Sequence, residues 1–310
     1  MITGMRQFFP EGRLIGTPGN SLSLSSPAAL AEALAKEKIL EARAVLCDSG
    51  HSLSVDLGCM RGIIPREEGA VGIREGRVRD IALISRVNKA VCFTVTGFAQ
   101  ENDRTVAILS RRRAQEICFE NYIDNLLPGD VIDVRVTHLE PFGAFCDIGC
   151  GISSLIPIDS ISVSRIFHPS DRFRVGDDIR AVVKERGPDG RITLTHKELL
   201  GTWQENADTF AQGETVSGII RTVEEYGAFI ELAPNLAGLA EPRAGIRPGQ
   251  HAGVYIKSIL PDKMKVKLII IDSFEADYTP SKPRYFFTGR HMDSWDYSPA
   301  GCPKRISTYF

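Results

Sequence analysis

The chain lacks an excess of charge of either sign, a paired-cysteine motif and a long apolar run. Lysine and arginine number 37 against 39 acidic residues, for a net charge of −2. A protein held to duplex phosphates by its field carries a basic stripe. Any nucleic-acid binding here must therefore lean on stacking against bases more than on bulk charge. The seven cysteines, Cys47, Cys59, Cys92, Cys118, Cys146, Cys150 and Cys302, include no Cys-x-x-Cys pair. Cys146 and Cys150 have no second pair or histidine at zinc spacing, so no metal site is expected. Reduced, buried thiols in a cytoplasmic protein are expected instead. No apolar run approaches the roughly 20 residues of a membrane span. Residues 1–20 mix Arg6, Pro10, Glu11, Arg13 and Pro18 into their apolar positions, unlike a secretory signal. Phosphate-loop, zinc-protease and serine-hydrolase motifs are missing, and the six histidines are scattered. The expectation is a chain that is not an enzyme and uses no cofactor.

What is present is a repeat. An offset of 84 relates Gly129 to Gly213, Phe142 to Tyr226 and Phe145 to Phe229. Further on, Arg191-Ile192-Thr193-Leu194 aligns with Lys265-Val266-Lys267-Leu268 at an offset of 74. The second copy is thus about ten residues shorter in its middle, where the first has the polar stretch Asp159 to Arg174. Each copy reads as five short strands. In the first, Ile132, Val134 and Val136 alternate with polar residues, and strands follow at 143–148, 152–158, 178–184 and 191–195. Pro188-Asp189-Gly190 supplies a turn between the last two. Five strands with one longer connection after the third suit a small closed barrel. Between the copies, Thr195-His196-Lys197-Glu198 reads as a capping box that opens a helix carrying Leu199, Trp203, Ala207 and Phe210 on one face. At ~15 residues that helix would be about 22 Å long. A similar helix is expected from Arg111 to Asn125 after Ser110.

One feature breaks the pattern. On the second strand Ala144, Cys146 and Ile148 share one face, while Phe145 falls beside Asp147 on the other. The second copy repeats this, with Phe229 beside Glu231. An aromatic on a polar face exposes apolar area and needs a reason. Phe142 and Tyr226 lie three residues earlier across Gly143 and Gly227, where a residue without a side chain lets the chain bend and a base approach. The two rings of each copy form a candidate stacking platform, and Arg191 and Lys265, opening the fifth strand, are candidate phosphate contacts. Alternatively, the rings plug a barrel end or pack on a neighbouring domain.

These residues resemble the S1 domain family, the RNA-binding repeats of bacterial ribosomal protein S1. The resemblance rests on Gly129-Asp130, Phe142-Gly143-Ala144-Phe145, Val175-Gly176-Asp177 and Gly190-Arg191-Ile192-Thr193-Leu194. In the second copy it rests on Gly213-Glu214, Tyr226-Gly227-Ala228-Phe229 and Lys265-Val266-Lys267-Leu268, and the linking 197–203 is also similar. It covers 125–272, about half the chain. It implies a mainly β protein of tandem five-stranded OB-fold (S1-type) barrels joined by short helices. It also implies binding of single-stranded RNA or mRNA through Phe142, Phe145, Arg191, Tyr226, Phe229 and Lys265. The family's histidine place falls on Pro157 and near Glu241, and its aspartate place on Gly187. Both surfaces are therefore incomplete and weaker binding is expected.

The expected organisation is an N-terminal extension with a short helix (1–35), a divergent S1-like barrel (36–112), an S1 domain (126–197), a shortened S1 domain (212–273) and an aromatic-rich tail (274–310). In the divergent barrel Leu53, Val55 and Leu57 face inward, and His51 and Ser54 stand at the aromatic places. By resemblance, residues 1–112 are a candidate docking module for the small ribosomal subunit, or else a purely structural domain. Ser26-Pro27 starts a helix over 28–38 that docks or braces. The tail holds nine of the 24 aromatics in 37 residues, and four prolines argue against a helix there. It is expected to wrap the last barrel, or to touch RNA or ribosome. Arg111-Arg112-Arg113 is read as a solvated face or an RNA clamp. Three function classes remain open: a translation-associated RNA binder at the small subunit, an RNA-binding module of a ribonuclease or transcription complex, and an interaction protein whose barrels have lost RNA affinity. For the first, micromolar affinity, little sequence preference and a shallow salt dependence are expected.

Overall fold

The computed structural model describes residues 8–188, 190–276 and 282–310. Asp189 of the expected turn, and Tyr278 and Pro280 of the tail, lie outside the described residues. The chain divides into two compact units, Met1–Leu126 with Asp147–Ser153, and Leu127–Cys146 with Ser154–Phe310. Among the described residues no helix is long and apolar enough to cross a membrane.

In the first unit, β1 (Leu40–Cys47), β2 (Leu53–Asp56), β3 (Arg61–Ile64), β4 (Ala90–Glu101) and β5 (Arg104–Ser110) close a barrel in the order β1-β2-β3-β5-β4. β3 and β5 are parallel, with Gly62 opposite Ala107. Leu53, Val55 and Leu57 point into a core that also holds Leu40, Phe93 and Leu109. Two helices precede it, α1 (Pro18–Leu24) and α2 (Pro27–Ala35). Ser26 caps α2 by accepting the Ala29 N–H, and Leu30 and Ala33 pack into the barrel's apolar cluster, so α2 braces the barrel. A one-turn helix, α3 (Ile81–Ile84), lies between β3 and β4.

Ser110 caps α4 (Arg111–Asn121), which ends short of the expected Asn125; a 3-10 turn covers Ile123–Asn125. Within the arginine run at its start, Arg111 is no solvated face. Arg111 is buried, and its Nε and Nη2 donate to the two Glu11 carboxylate oxygens at 2.7 and 3.1 Å. Burial opposes charge on Glu11, yet Arg111 and then Arg86 hold its carboxyl below the usual range. Arg112 and Arg113 pair with Glu116 and Glu37. A buried guanidinium is tolerable only with such a partner, and the partner stands 100 residues away, out of reach of any local pattern.

The second unit holds two more barrels. The middle one is built from β6 (Val131–Glu140), β7 (Gly143–Asp147), β8 (Ser153–Pro157), β9 (Asp178–Arg186) and β10 (Ile192–Thr195). The third uses β11 (Thr215–Glu224), β12 (Gly227–Ala233), β13 (Leu236–Ala240), β14 (His251–Leu260) and β15 (Lys265–Phe274). Both close with the strand order of the first barrel. The mainly β fold of tandem five-stranded OB-type barrels joined by short helices is the one the alternation indicates.

The linker differs from the single helix expected. A 3-10 turn, Lys197–Leu200, stops at Gly201, whose φ is +85°. The helix proper is the five-residue α5 (Trp203–Ala207), and its capping box is Thr202 with Glu205. The linker carries Thr-x-x-Glu twice, and Gly201 decides between them, because a left-handed residue ends the first turn. Leu199, Leu200, Trp203 and Ala207 are buried, so the linker is folded onto its neighbours and is no 22 Å rod.

The tail also does more than wrap the last barrel. Trp295 and Tyr297 are buried in one apolar cluster with Trp203, Leu236 and the third-barrel interior. They belong to or flank β16 (Ser294–Asp296), which pairs with β17 (Ser307–Tyr309). Tyr297 Oη donates to Asn235 O at 2.6 Å. On the middle barrel, Tyr285 Oη accepts the Arg180 N–H at 2.9 Å, and Val131 N–H donates to Arg290 O at 2.8 Å. The tail thus ties both barrels of the unit together.

His196 sits at this junction, edge-on to Phe173 and Tyr285, with Nδ1 3.1 Å from Ile161 O. Burial, reinforced by the Arg172 charge, pushes its pKa down to about 4. A histidine whose folded pKa is depressed stays neutral when folded but takes a proton when unfolded. Stability is therefore lost as pH falls from about 6.5 towards 4. The loss approaches about 3 kcal/mol at about 1.36 kcal/mol per pKa unit. Urea midpoints measured across that window should fall in the wild type and fall less in His196→Gln; identical curves would contradict the assignment.

Candidate nucleic-acid interface

The paired rings stand where a nucleobase can reach them. Phe142 and Tyr226 are 56% and 64% exposed, and Phe145 and Phe229 are half-buried. Phe142 meets Phe145 edge-on, with centroids 5.9 Å apart at 88°; Tyr226 meets Phe229 at 6.2 Å and 87°. The two copies thus hold one geometry. Each is an L-shaped step with an exposed upper ring and a half-exposed lower one, and no flat double platform.

The intervening glycines have a different role from the one expected. A Cβ on Gly143 would stand 2.5 Å from Ile156 O, and one on Gly227 2.3 Å from Ala240 O. The third strand's backbone fills the space a side chain would need, so glycine serves strand approach and not the approach of a base.

The polar face beside the lower rings is also different. Asp147 is buried and accepts N–H donors from Gly149 and Gly151 at 2.8 and 3.0 Å. Glu231 is buried against Arg172 Nη2 at 2.6 Å and Arg221 Nε at 2.8 Å. Neither carboxylate faces water, so neither meets an approaching phosphate from solvent.

Lys265 is exposed at the start of β15, and Arg191 is exposed just ahead of β10. Each shares the outward alternation of the residue two places on, Lys267 and Thr193. Phe229 pairs with Leu239 and Leu239 with Lys267, so ring and ammonium lie in one cross-strand row. Lys267 is a further candidate, in the row of Phe229, that sequence reasoning passed over. The signal was available in the alternation Lys263-x-Lys265-x-Lys267, all exposed. His138 was also missed. Its ring lies 6.3 Å from Phe145 at 30°, is 62% exposed, and has Nε2 2.6 Å from Glu140 Oε1. In the third barrel Thr222 takes the matching position opposite Phe229. The middle barrel thus has three rings and the third barrel two rings with more lysine.

The positions at which the resemblance implies further contacts hold none of the family's residue types. Pro157 and Gly187 are half-buried, and exposed Glu241 stands 3.6 Å from Lys257 Nζ. In the first barrel Ser54 is buried and accepts from Arg61 Nε at 3.3 Å, so no ring pair forms there. Among the described residues no cluster of His, Cys, Asp or Glu is arranged to hold a metal.

The S1 RNA binding domain family matches residues 127–197, which span the ring pair and every strand of the middle barrel. The middle barrel is an S1 domain. Around it, the chain is similar to small ribosomal subunit protein bS1 of Staphylococcus epidermidis, at 30% identity over 260 residues, which is 78% of this chain and 63% of that protein. The same protein of Staphylococcus aureus matches at 30% over 258 residues, and that of Leuconostoc lactis at 28% over 231. The chain spans 63% of the length of the staphylococcal relatives and 52% of the length of the Leuconostoc one. The ring step of the S1 domain recurs in the third barrel on the same strands.

Proposed function

We propose that this chain binds single-stranded RNA by base stacking, as a protein of the ribosomal protein S1 type that works in translation at the small ribosomal subunit. The observation that carries the reading is the repeated ring step, Phe142 over Phe145 and Tyr226 over Phe229, open to solvent in two barrels of one unit. Each stacked base contributes about 1–3 kcal/mol whatever its identity, so sequence preference is low. Arg191, Lys265 and Lys267 take the phosphates, and His138 extends the middle platform. The first barrel lacks this ring pair, and residues 1–112 serve as the protein-docking part.

Titrating the full chain with fluorescein-labelled oligo(U) tests this. Micromolar binding at low salt is expected. With about three phosphate contacts, log K should fall against log salt with a slope of about −2. Absence of binding at low salt would leave an interaction protein without RNA affinity. Cosedimentation with small ribosomal subunits should persist in a variant whose rings have been removed, because docking runs through the other unit. Its disappearance would show that RNA alone makes the contact.

A further inference from the structure

The connection between β8 and β9 runs over 158–177, twenty residues, whereas that between β13 and β14 runs over 241–250, ten residues. Connections longer than about 12–15 residues are uncommon in compact domains and usually functional. The extra length in the middle barrel does not hang in solvent. It lies on the third barrel, tied at two places. At one end Val163 N–H donates to Asn235 Oδ1 at 2.9 Å and Ser164 N–H to Pro234 O at 3.0 Å, both on the β12–β13 turn. At the other, Arg172 bonds Glu231 at 2.6 Å and Asp171 accepts from Arg221 at 3.0 Å.

The second anchor sits beside the third barrel's rings. Glu231 follows Phe229 by two residues on the same strand face, about 7 Å along β12. Arg221 precedes Thr222, which is paired with Phe229. Between the anchors the loop alternates: Ser164 and Ile166 are buried, while Arg165 and Phe167 point outward. Phe167 is 56% exposed. Its N–H donates to the same Asp171 Oδ2 that Arg221 holds, at 3.2 Å. The anchoring runs through backbone groups and ion pairs, Phe167's own N–H among them, so its exposed ring asks for another reason. Among the described residues Arg165 has no ion-pair partner, which makes the rim of this patch positive beside a ring.

We propose that this loop completes the RNA face of the third barrel, with Phe167 stacking a nucleotide adjoining those on Tyr226 and Phe229 and Arg165 contacting a phosphate. The third barrel's site is then composite, built by two barrels, and a bound strand crosses the seam between them. The occupant is single-stranded RNA, on continuity with the ring step and on the sign of the charge. This inference rests on the RNA-binding reading above.

Phe167→Ala, made in the full chain, tests it with the same oligo(U) titration. A ring that stacks one base accounts for a loss of about 5- to 150-fold in affinity. The melting temperature should not move, because the side chain is exposed, and Phe167→Trp should retain binding. Arg165→Gln should flatten the salt slope by about 0.7. If wild type binds and Phe229→Ala weakens it while Phe167→Ala leaves the titration unchanged, the composite site is wrong and the RNA-binding reading stands. If Phe167→Ala instead abolishes capture of ribosomal protein without touching oligo(U) affinity, the patch is a protein contact and the inference is overturned. If wild type binds no oligo(U), both fall together.

Discussion

Replacing Phe145 and Phe229 by alanine together is expected to take oligo(U) binding below detection. Each lower ring supports an edge-on partner, Phe142 or Tyr226, at 5.9 and 6.2 Å. Removing the lower ring therefore deletes one stacking face and leaves the upper ring without its support. A single substitution should cost about 1–3 kcal/mol, or roughly 5- to 150-fold. The double change should cost more than either single one by a further margin. The two barrels belong to one unit, and a strand touching both gains from effective concentration that is lost once one face is gone. The middle barrel retains His138 against the site of the missing ring, so Phe145→Ala alone should be the milder of the two. Fluorescence anisotropy gives the affinities, and circular dichroism should show unchanged secondary structure because both rings are half-exposed. Unaltered affinity in the double variant, with a steep salt dependence, would mean that charge and not stacking holds the RNA.

Glu231→Ala should be the most destabilising single change in the second unit. The carboxylate is shared by Arg172 and Arg221, and all three groups are buried. Removing it leaves two guanidiniums without their main partner in a desolvated place, which costs about 3–5 kcal/mol. For a unit of this size about 1 kcal/mol shifts the melting temperature by roughly 2–4 °C, so a fall of about 10 °C is expected. Glu231→Gln keeps shape and hydrogen bonding and should lose less. Glu241→Ala removes an exposed carboxylate 3.6 Å from Lys257 and should cost less than about 1 kcal/mol. Because the cluster also anchors the 158–177 loop, Glu231→Ala should expose that loop to proteolysis. A melting temperature within a degree or two of wild type would show that Glu231, Arg172 and Arg221 contribute little to joining the barrels.

Much of the architecture was legible because it is written at short range. Ile132, Val134 and Val136 alternate with polar residues, and all three are buried. The break in alternation at Phe145 and Phe229 marks the rings in the sequence alone. Ser110 and Ser26 were readable as caps because a hydroxyl ahead of a helix has only nearby N–H groups to satisfy. The linker was misread because two Thr-x-x-Glu signals compete over eleven residues, and only Gly201's left-handed backbone selects the second. His138 and Lys267 escaped because their relation to the rings depends on cross-strand register, including the bulge between Ile220 and Thr222 in the matching hairpin.

Alternation along each strand, with its glycine-bounded turns, was enough by itself to indicate five-stranded barrels and to single out two aromatic side chains, Phe145 and Phe229, facing away from their cores. It could not say which outward residues meet water. Asp147, Glu231 and Arg111 all read as surface charges and are all buried. Inward or outward is a property of neighbouring residues on one strand. Exposure depends on what other chain lies over that strand, and the segment covering Glu231 comes from 59 residues away. Only the folded arrangement of loop, linker and tail decides that.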